Sequence, residues 1–231
     1  MKKAGLIGGM GPQSTMPYYN GIVYGVRERT RPDFFPNLTI ESINVFEVLG
    51  YCGRCDYEGL TDHVLAAVQN LAAAGCDFAV LTANTTHIIF DRLAARTPIP
   101  LLSIVEATCA EALSRGYRRI ALLGTTFTMT GEFYKEPFRR NGIEVVVPSA
   151  EEMQLIDRRI TDELELGDIR PSTLAEFQTI ISRMASEEGA EAVVLGCTEL
   201  PLLLNDQNSP LPTLDTVAIH TTAIINKILE D

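Results

Sequence analysis

The sequence predicts an α/β protein made of two similar halves, each holding about four parallel β-strands. Three observations support this fold class: short apolar runs alternate with longer amphipathic segments, turn-forming residues separate them, and the pattern of the first half returns in the second. Alternating strands and helices form parallel sheets that helices cover on both faces. A chain of 231 residues is long enough for two such halves.

The first strand, the following helix and the second strand are predicted from a short apolar run, a glycine-rich turn, an amphipathic segment and then an alternating segment. The apolar run 4–8 precedes a glycine-rich turn, and Ser14 or Thr15 suits the N-cap of an amphipathic helix over 16–29. The segment 38–45 alternates and is rich in β-branched residues, which favours a strand.

The remainder of the first half repeats this order. Apolar residues at helical spacing predict a helix over 57–74, which Gly75 ends. A buried strand at 78–81 follows, then a short helix over 88–95 and a strand over 98–102 whose start is marked by prolines.

The second half begins with a helix over 103–115 and then resembles the first. Strands are predicted at 119–123, 144–147, 192–195 and 211–214. Helices are predicted after the first of these strands up to residue 141, and at 151–166, 171–188 and 217–229. Pro212 lies inside the last predicted strand and indicates an edge position, because proline has no N–H to donate within a sheet.

The internal repeat relates the two halves directly. Residues 75–85 align without gaps on residues 189–199 at an offset of 114, and this alignment sets Cys197 against Ala83. We therefore expect two α/β domains related by a pseudo-twofold axis. Their predicted boundaries are 1–102 together with 215–231 for the first and 103–214 for the second. Ligands bind at the carboxyl ends of the strands in such sheets, so the loops that follow the strands form the candidate site.

The composition limits the classes of partner. A formal net charge of −11 argues against nucleic acid and anionic membranes, because both require a basic surface on the protein. No apolar run is long enough to span a bilayer, and five scattered cysteines do not form a recognisable disulfide framework. We expect a cytoplasmic protein with reduced thiols that binds a small molecule.

Cys197 is the first candidate for chemistry. The apolar run 192–195 ends at Gly196, and the thiol is followed by Thr198 and Glu199. Cysteine is often simply buried. A thiol presented at the end of a strand, before a helix, has a lowered pKa, so we expect a usable thiolate at this position.

Polar residues that follow three of the strands form the second candidate group. Hydroxyl side chains at helix starts are commonly N-caps, yet three such clusters at the carboxyl ends of strands can also bind carboxylates together with backbone N–H groups. The candidate substrate-binding residues are Met10, Gln13, Arg54, Asn84, Thr85, Thr86, Thr125, Thr198 and Glu199.

Three further motifs are less specific. The turn Gly8-Gly9-Met10-Gly11-Pro12 lacks the spacing of a dinucleotide fingerprint, and we interpret it as a tight turn whose N–H groups hold a carboxylate. Cys52 and Cys55 lack the partners that a zinc site needs, and we expect no metal; they are interpreted as cysteines of a surface loop, with Arg54 between them as a candidate cation for a carboxylate substrate. His87 is interpreted first as a buried, hydrogen-bonded histidine and only second as a catalyst.

Taken together, these motifs resemble the aspartate/glutamate racemase family over the whole chain. The matching segments are the turn 8–12, Asn84-Thr85 with His87, and Gly196-Cys197-Thr198-Glu199-Leu200-Pro201. The resemblance implies a cofactor-independent (PLP-independent) isomerase of amino-acid metabolism, commonly a homodimer, with the substrate in the cleft between two pseudosymmetric α/β domains. In the family two residues, usually both cysteines, face opposite sides of Cα; one removes the α-proton and the other returns it.

One of the two acid/base positions departs from the family pattern. Ala83 stands where the family usually has a thiol, and alanine cannot exchange a proton. Three explanations are open: deliberate removal of the first acid/base, a natural variant that uses Thr82 or a water, or a changed reaction. The alternatives to a racemase are a single-cysteine decarboxylase or isomerase of small dicarboxylic acids, and a non-catalytic amino-acid-binding relative. We expect a racemase for aspartate or glutamate whose activity is impaired or one-sided.

A second departure concerns the substrate. The resemblance implies a basic residue near the end of the helix that precedes the cysteine-bearing strand in relatives that act on aspartate. This chain has Glu163-Leu164-Glu165-Leu166-Gly167 there. Either the side-chain carboxylate of a dicarboxylic substrate binds another group, for which Arg54 is the candidate, or the substrate is not strictly dicarboxylic.

Overall fold

A computed structural model describes residues 1–10 and 12–230, apart from the side chains of Pro12 and Gln13. The strands are β1 (Ala4–Gly8), β2 (Leu38–Ser42), β3 (Phe78–Leu81), β4 (Leu101–Leu102), β5 (Arg119–Leu123), β6 (Glu144–Val146), β7 (Ala192–Leu195) and β8 (Thr213–Asp215). The α-helices are α1 (Pro12–Arg29), α2 (Val45–Gly53), α3 (Tyr57–Ala73), α4 (Phe90–Ala94), α5 (Ile104–Ser114), α6 (Thr126–Thr130), α7 (Glu132–Arg140), α8 (Ala150–Asp162), α9 (Pro171–Glu188) and α10 (Thr216–Leu229). Short 3₁₀ turns occupy Thr85–Ile89, Leu164–Leu166 and Leu200–Leu202.

The chain divides into two compact units, residues 1–104 with 220–231 and residues 105–219. The first unit holds a parallel sheet in the order β2-β1-β3-β4. All five residues of β1 and all four of β3 are buried, as expected for central strands of a sheet that is covered on both faces. One core cluster of this unit packs Ile7 and Leu81 from these strands against Leu60, Val64 and other apolar residues of α3.

The second unit repeats this arrangement with a parallel sheet in the order β6-β5-β7-β8. β7 is buried along its whole length and lies between β5 and β8, so its carboxyl end is flanked by the loops that follow those two strands. The predicted fold class, two parallel four-stranded α/β halves, is confirmed. The edge position of the last strand is also confirmed, although Pro212 precedes the strand; its carbonyl accepts a hydrogen bond from the Val193 N–H at 2.9 Å.

Several predicted helix bounds were wrong for local reasons. The helix predicted to run up to residue 141 is split into α6 and α7 because Gly131 adopts an extended conformation between them. The helix predicted over 151–166 ends at Asp162, where Glu163 leaves helical geometry (φ −126°). Helix α2 is an element that the sequence pattern does not predict, and its start is capped by the Asn44 side chain, which accepts the Phe46 N–H at 3.0 Å.

No helix among residues 1–10 and 12–230 is long and apolar enough to cross a membrane.

Candidate active site

Cys197 lies just beyond the carboxyl end of β7, where a glycine allows two strand ends to approach closely. The Gly196 N–H donates to the Leu123 carbonyl at 2.7 Å. A Cβ on residue 196 would lie 2.8 Å from that same oxygen, closer than packed atoms tolerate. Glycine is therefore required here, and it delivers the following thiol from a buried strand to a partly exposed position.

The Cys197 thiol is hydrogen-bonded to a carboxylate. Its Sγ–H donates to Glu199 Oε2 at 2.9 Å, and the Thr198 hydroxyl donates to the same oxygen at 2.7 Å. Glu199 is only 8% exposed, so its charge is poorly screened by solvent. This carboxylate is placed to take the thiol proton.

The expectation of a lowered thiol pKa was wrong. Burial raises the pKa of Cys197 well above its ordinary value, and the negative charges of Glu199 and Glu165 raise it further. The segment after Cys197 forms only the three-residue 3₁₀ turn Leu200–Leu202, so a long helix with a strong dipole is not present to stabilise a thiolate. A thiol whose pKa is raised in this way gives a strongly basic thiolate when it loses its proton.

Ala83, the counterpart of Cys197 in the repeat, is held firmly although it has no acid/base group. It follows β3, and its carbonyl accepts hydrogen bonds from the Thr86 hydroxyl at 3.1 Å and from His87 Nδ1 at 3.0 Å. The preceding Thr82 hydroxyl donates to the Ile7 carbonyl at 2.9 Å, which ties the end of β3 to β1. Hydrogen bonds therefore fix the backbone at residue 83.

His87 is the buried, hydrogen-bonded histidine that the sequence analysis preferred over a catalyst. Its Nε2 accepts the Ile104 N–H at 3.2 Å while Nδ1 donates to the Ala83 carbonyl, which requires the neutral ring. The ring stacks on Phe90 with centroids 5.2 Å apart. Burial lowers the pKa of His87 to about 4, so this residue shapes the turn rather than exchanging protons at neutral pH.

The residues of the first unit that were predicted to bind substrate differ in how far they are exposed to solvent. Asn84 and Thr86 are buried at the start of the 3₁₀ turn, and Thr85 between them is partly exposed. Met10 packs in the same core cluster as Ala83. The side chain of Gln13 and the placement of Gly11 lie outside what the structure describes.

Arg54 and its flanking cysteines lie at the end of α2, not in the surface loop that the sequence predicted for them. Cys52 belongs to the last turn of this helix, and Arg54 is its C-cap residue. The exposed Arg54 guanidinium stacks over the ring of Tyr51, 5.3 Å from its centroid. Cys52 and Cys55 belong to no group of three or more potential metal ligands among residues 1–10 and 12–230.

Thr125 is an N-cap, which is the simpler of its two predicted roles. Its hydroxyl accepts the Thr128 N–H at 3.4 Å at the start of α6. The next residue, Thr126, donates its N–H to Asp157 Oδ1 at 2.6 Å. This link between the end of β5 and α8 was missed by the sequence analysis, since residues 31 positions apart carry no local signal of their pairing.

Glu165 is the second residue that the sequence analysis did not assign to the site. It lies in the 3₁₀ turn after α8, and its charge contributes to the raised pKa of Cys197. Burial raises the pKa of Glu165, and the carboxylates of Glu199 and Asp157 raise it further. The signal available in the sequence was the acidic character of this segment where a basic residue was expected.

Comparison with known proteins assigns the family. The Asp/Glu/Hydantoin racemase family model matches residues 7–224. The chain is 24% identical to the broad specificity amino-acid racemase RacX of Bacillus subtilis over 97% of each chain. An aspartate racemase homologue from Pyrococcus horikoshii is 36% identical, with a TM-score of 0.89 over the whole of both chains. The aspartate racemase of Picrophilus torridus, at 21% identity, shares the fold with a TM-score of 0.77 over 99% of this chain and 94% of that one. The chain belongs to the Asp/Glu/Hydantoin racemase family.

Proposed function

We propose that this protein is a PLP-independent amino-acid racemase whose proton transfer is one-sided, with Cys197 as the acid/base. The hydrogen bond from the Cys197 thiol to the Glu199 carboxylate carries this proposal, because it supplies a thiol together with an acceptor for its proton. The names of the relatives make aspartate and glutamate the first substrates to assay. A homodimer in the cytoplasm is proposed from the family resemblance alone.

The proton transfer follows from the geometry at Cys197. The Sγ proton moves to Glu199 Oε2 as the resulting thiolate removes the α-proton of the amino acid. The electron pair of the Cα–H bond stays on the substrate as a carbanion-like species. A thiol whose pKa is raised gives a thiolate of high basicity, which suits an α-proton that is itself very weakly acidic. Return of a proton from the thiol to Cα restores the substrate, and Glu199 then returns its proton to the sulfur.

Ala83 makes this exchange one-sided. A two-base racemase needs a second acid/base to protonate the opposite face of Cα, and a methyl group cannot do so. The thiol proton exchanges with solvent, so in deuterium oxide the substrate acquires deuterium while its configuration is retained. By family resemblance, Cys197 serves the L-enantiomer.

The test is α-deuterium incorporation into L- and D-aspartate and L- and D-glutamate, followed by NMR with chiral analysis. We expect uptake from the L-enantiomers with little racemisation, and a loss of about 10²-fold or more in Cys197→Ala. Cys55→Ala is the matched control, since it removes an exposed thiol from the other unit, and it should retain wild-type exchange. Equal uptake from both enantiomers, or unchanged uptake in Cys197→Ala, contradicts the proposal.

A decarboxylase is the second candidate, favoured by the presence of a single thiol at the two acid/base positions. One protonating group suffices when a carboxylate leaves as carbon dioxide and the carbanion takes a proton from one face. Incubation with substituted malonates and with maleate tests this. Release of carbon dioxide or rearrangement of the diacid, without α-exchange on amino acids, favours this second function over the racemase.

A further inference from the structure

We propose that Cys52 and Cys55 form a reversible redox site, which a hydroperoxide converts into an intramolecular disulfide. Both thiols are free, and they lie where α2 ends and α3 is about to begin. Cys52 and Cys55 belong to the first unit, whereas Cys197 belongs to the second. The redox site therefore does not depend on proton exchange at Cys197.

A hydrogen-bonded turn brings the backbones of the two cysteines together. The Cys55 N–H donates to the Cys52 carbonyl at 3.0 Å, and the Asp56 N–H donates to the Tyr51 carbonyl at 3.0 Å. These are the two bonds of a Schellman motif, which closes a helix at its carboxyl end. The first and last residues of such a four-residue turn have Cα atoms less than about 7 Å apart, and disulfides join Cα atoms about 4.4–6.8 Å apart. The backbone therefore suits a disulfide between residues 52 and 55.

The residue that completes this turn is usually glycine, and here it is a cysteine. Cys55 has a φ of 54°, and it is the one non-glycine residue with a positive φ in the part of the chain that the structure describes. Glycine is favoured at such a φ because it has no Cβ to meet the backbone. The protein thus places a thiol where the backbone favours a residue without a side chain, and strained positions of this kind cluster at functional sites.

The turn is held from both sides. Arg54 is the C-cap residue of α2, and Asp56 is the N-cap residue of α3, where its side chain accepts the Gly59 N–H at 2.9 Å. Cys55 is the single residue between these two caps. The ends of two helices therefore fix the backbone of Cys55 relative to that of Cys52.

The two thiols differ in their exposure to solvent, and this difference assigns their roles. Cys55 is exposed, whereas Cys52 is partly buried and packs against the apolar core cluster of the first unit. Burial raises the pKa of Cys52, and a charge on Cys55 raises it further. Cys55 is therefore the thiol that meets an oxidant from solution, and Cys52 is the thiol that attacks the oxidised product.

The oxidation takes place in two steps. The Cys55 thiolate attacks one oxygen of the hydroperoxide, so that an S–O bond forms and the O–O bond breaks. The product is a sulfenic acid, and the second oxygen leaves as an alcohol or water with the proton that Cys55 released. The Cys52 sulfur then attacks the Cys55 sulfur, the S–S bond forms, and the sulfenic oxygen leaves as water with the Cys52 proton. Two molecules of a small thiol such as glutathione reverse the oxidation and are themselves joined in a disulfide.

Peptide mapping after treatment with hydrogen peroxide detects the disulfide. Trypsin cleaves after Arg54, so the disulfide joins the peptides 30–54 and 55–92, which separate on reduction. We expect this linkage in the wild-type protein and its loss on treatment with dithiothreitol. Cys55→Ser should abolish it. Cys76→Ala, which removes the other cysteine of the peptide 55–92, is the matched control and should retain it.

A comparison with the unfolded chain tests the role of the turn. The equilibrium between dithiol and disulfide is measured in glutathione buffers, for the native protein and for the protein in concentrated urea. The native protein should favour the disulfide by at least about tenfold over the unfolded chain, because the folded turn already holds the two cysteines close together.

Three results overturn the proposal. The first is oxidation of Cys55 to a sulfinic acid, or its capture by glutathione, without linkage to Cys52. The second is a linkage between the two peptides that requires Cys76. The third is an equilibrium that favours the disulfide no more in the native protein than in urea, because the pairing then reflects only the short distance between the two cysteines along the sequence.

Discussion

Cys197 and Glu199 form a pair in which each group determines the behaviour of the other. Burial and the adjacent carboxylate raise the pKa of the thiol, so the sulfur keeps its proton and donates it in a hydrogen bond to Glu199 Oε2, 2.9 Å away. A thiolate formed in this setting is strongly basic, and its proton has a nearby acceptor. The same pair would be a poor nucleophile at neutral pH, because only the thiolate attacks electrophiles.

Substitution of Glu199 should therefore move two properties of Cys197 in opposite directions. In Glu199→Gln the carboxylate charge disappears, the pKa of the thiol falls, and alkylation of Cys197 by iodoacetamide becomes faster. The acceptor for the thiol proton is also lost, so α-deuterium exchange should slow by about 10²-fold. Peptide mass spectrometry resolves Cys197 from the other cysteines. Slower alkylation together with slower exchange would indicate a collapsed site and contradict this account.

At the scale of elements, the two turns after the central strands β3 and β7 are equivalent in position and different in chemistry. The turn after β7 presents a thiol and its carboxylate, whereas the turn after β3 presents a methyl group on a backbone fixed by Thr86 and His87. The side chain of residue 83 packs in the core cluster and is 9% exposed. The turn that carries residue 83 therefore has a backbone fixed by hydrogen bonds.

Ala83→Cys should therefore convert one-sided exchange into racemisation. The new thiol differs from the native residue by one sulfur atom, and the turn is already hydrogen-bonded, so the gain in racemisation rate should be about 10²–10⁴-fold, the range for a positioned acid/base. The measurement is the change in optical rotation or chiral chromatography of a pure L-amino acid. Ala83→Ser, with a much weaker acid/base, is the control. No gain with a normally folded variant would mean that the turn no longer aims residue 83 at the substrate.

Helix ends were the elements that sequence reasoning located least well. Buried strands were located well, because uninterrupted apolar runs such as Phe78–Leu81 and Ala192–Leu195 mark them directly. The end of α8 was not, because Glu163 leaves the helix to reach Arg170 and Thr173, which are partners from the following segment and from α9. Local propensity contains no information about such partners. For the same reason, the sequence did not predict that the charge of Glu165 acts on Cys197.

For the molecule as a whole, two buried histidines link stability to pH. His87 bridges Ala83 and Ile104, and His220 accepts from the Tyr18 hydroxyl at 2.9 Å while donating to the Leu102 carbonyl at 3.1 Å. Both rings are neutral in the folded protein. Burial lowers the pKa of His220 to about 3, and the neighbouring His87 contributes to that shift.

In the unfolded chain both imidazole rings have the ordinary histidine pKa of about 6.5. Below about pH 6.5 the unfolded chain therefore binds more protons than the folded protein. The stabilisation is complete above about pH 6.5 and is lost as the pH falls towards the folded values of about 4 and about 3. Between about pH 7 and pH 5, each histidine should remove roughly 2 kcal/mol from the free energy of unfolding. Urea unfolding at both pH values measures this loss. His87→Gln should make the loss smaller, and an unchanged loss in that variant would count against the assignment.

The sequence by itself determined the two-fold repeat, the parallel α/β class and the alignment of Cys197 with Ala83. Those features follow from local hydrophobic periodicity and from the alignment of the two halves of the chain. Only the tertiary structure decided the protonation of the thiol, the satisfied role of His87 and the acidic surroundings that Glu165 contributes. The physical reason is that a pKa and a charge field depend on burial and on neighbours from distant parts of the chain, which come together only when the sheets and helices pack.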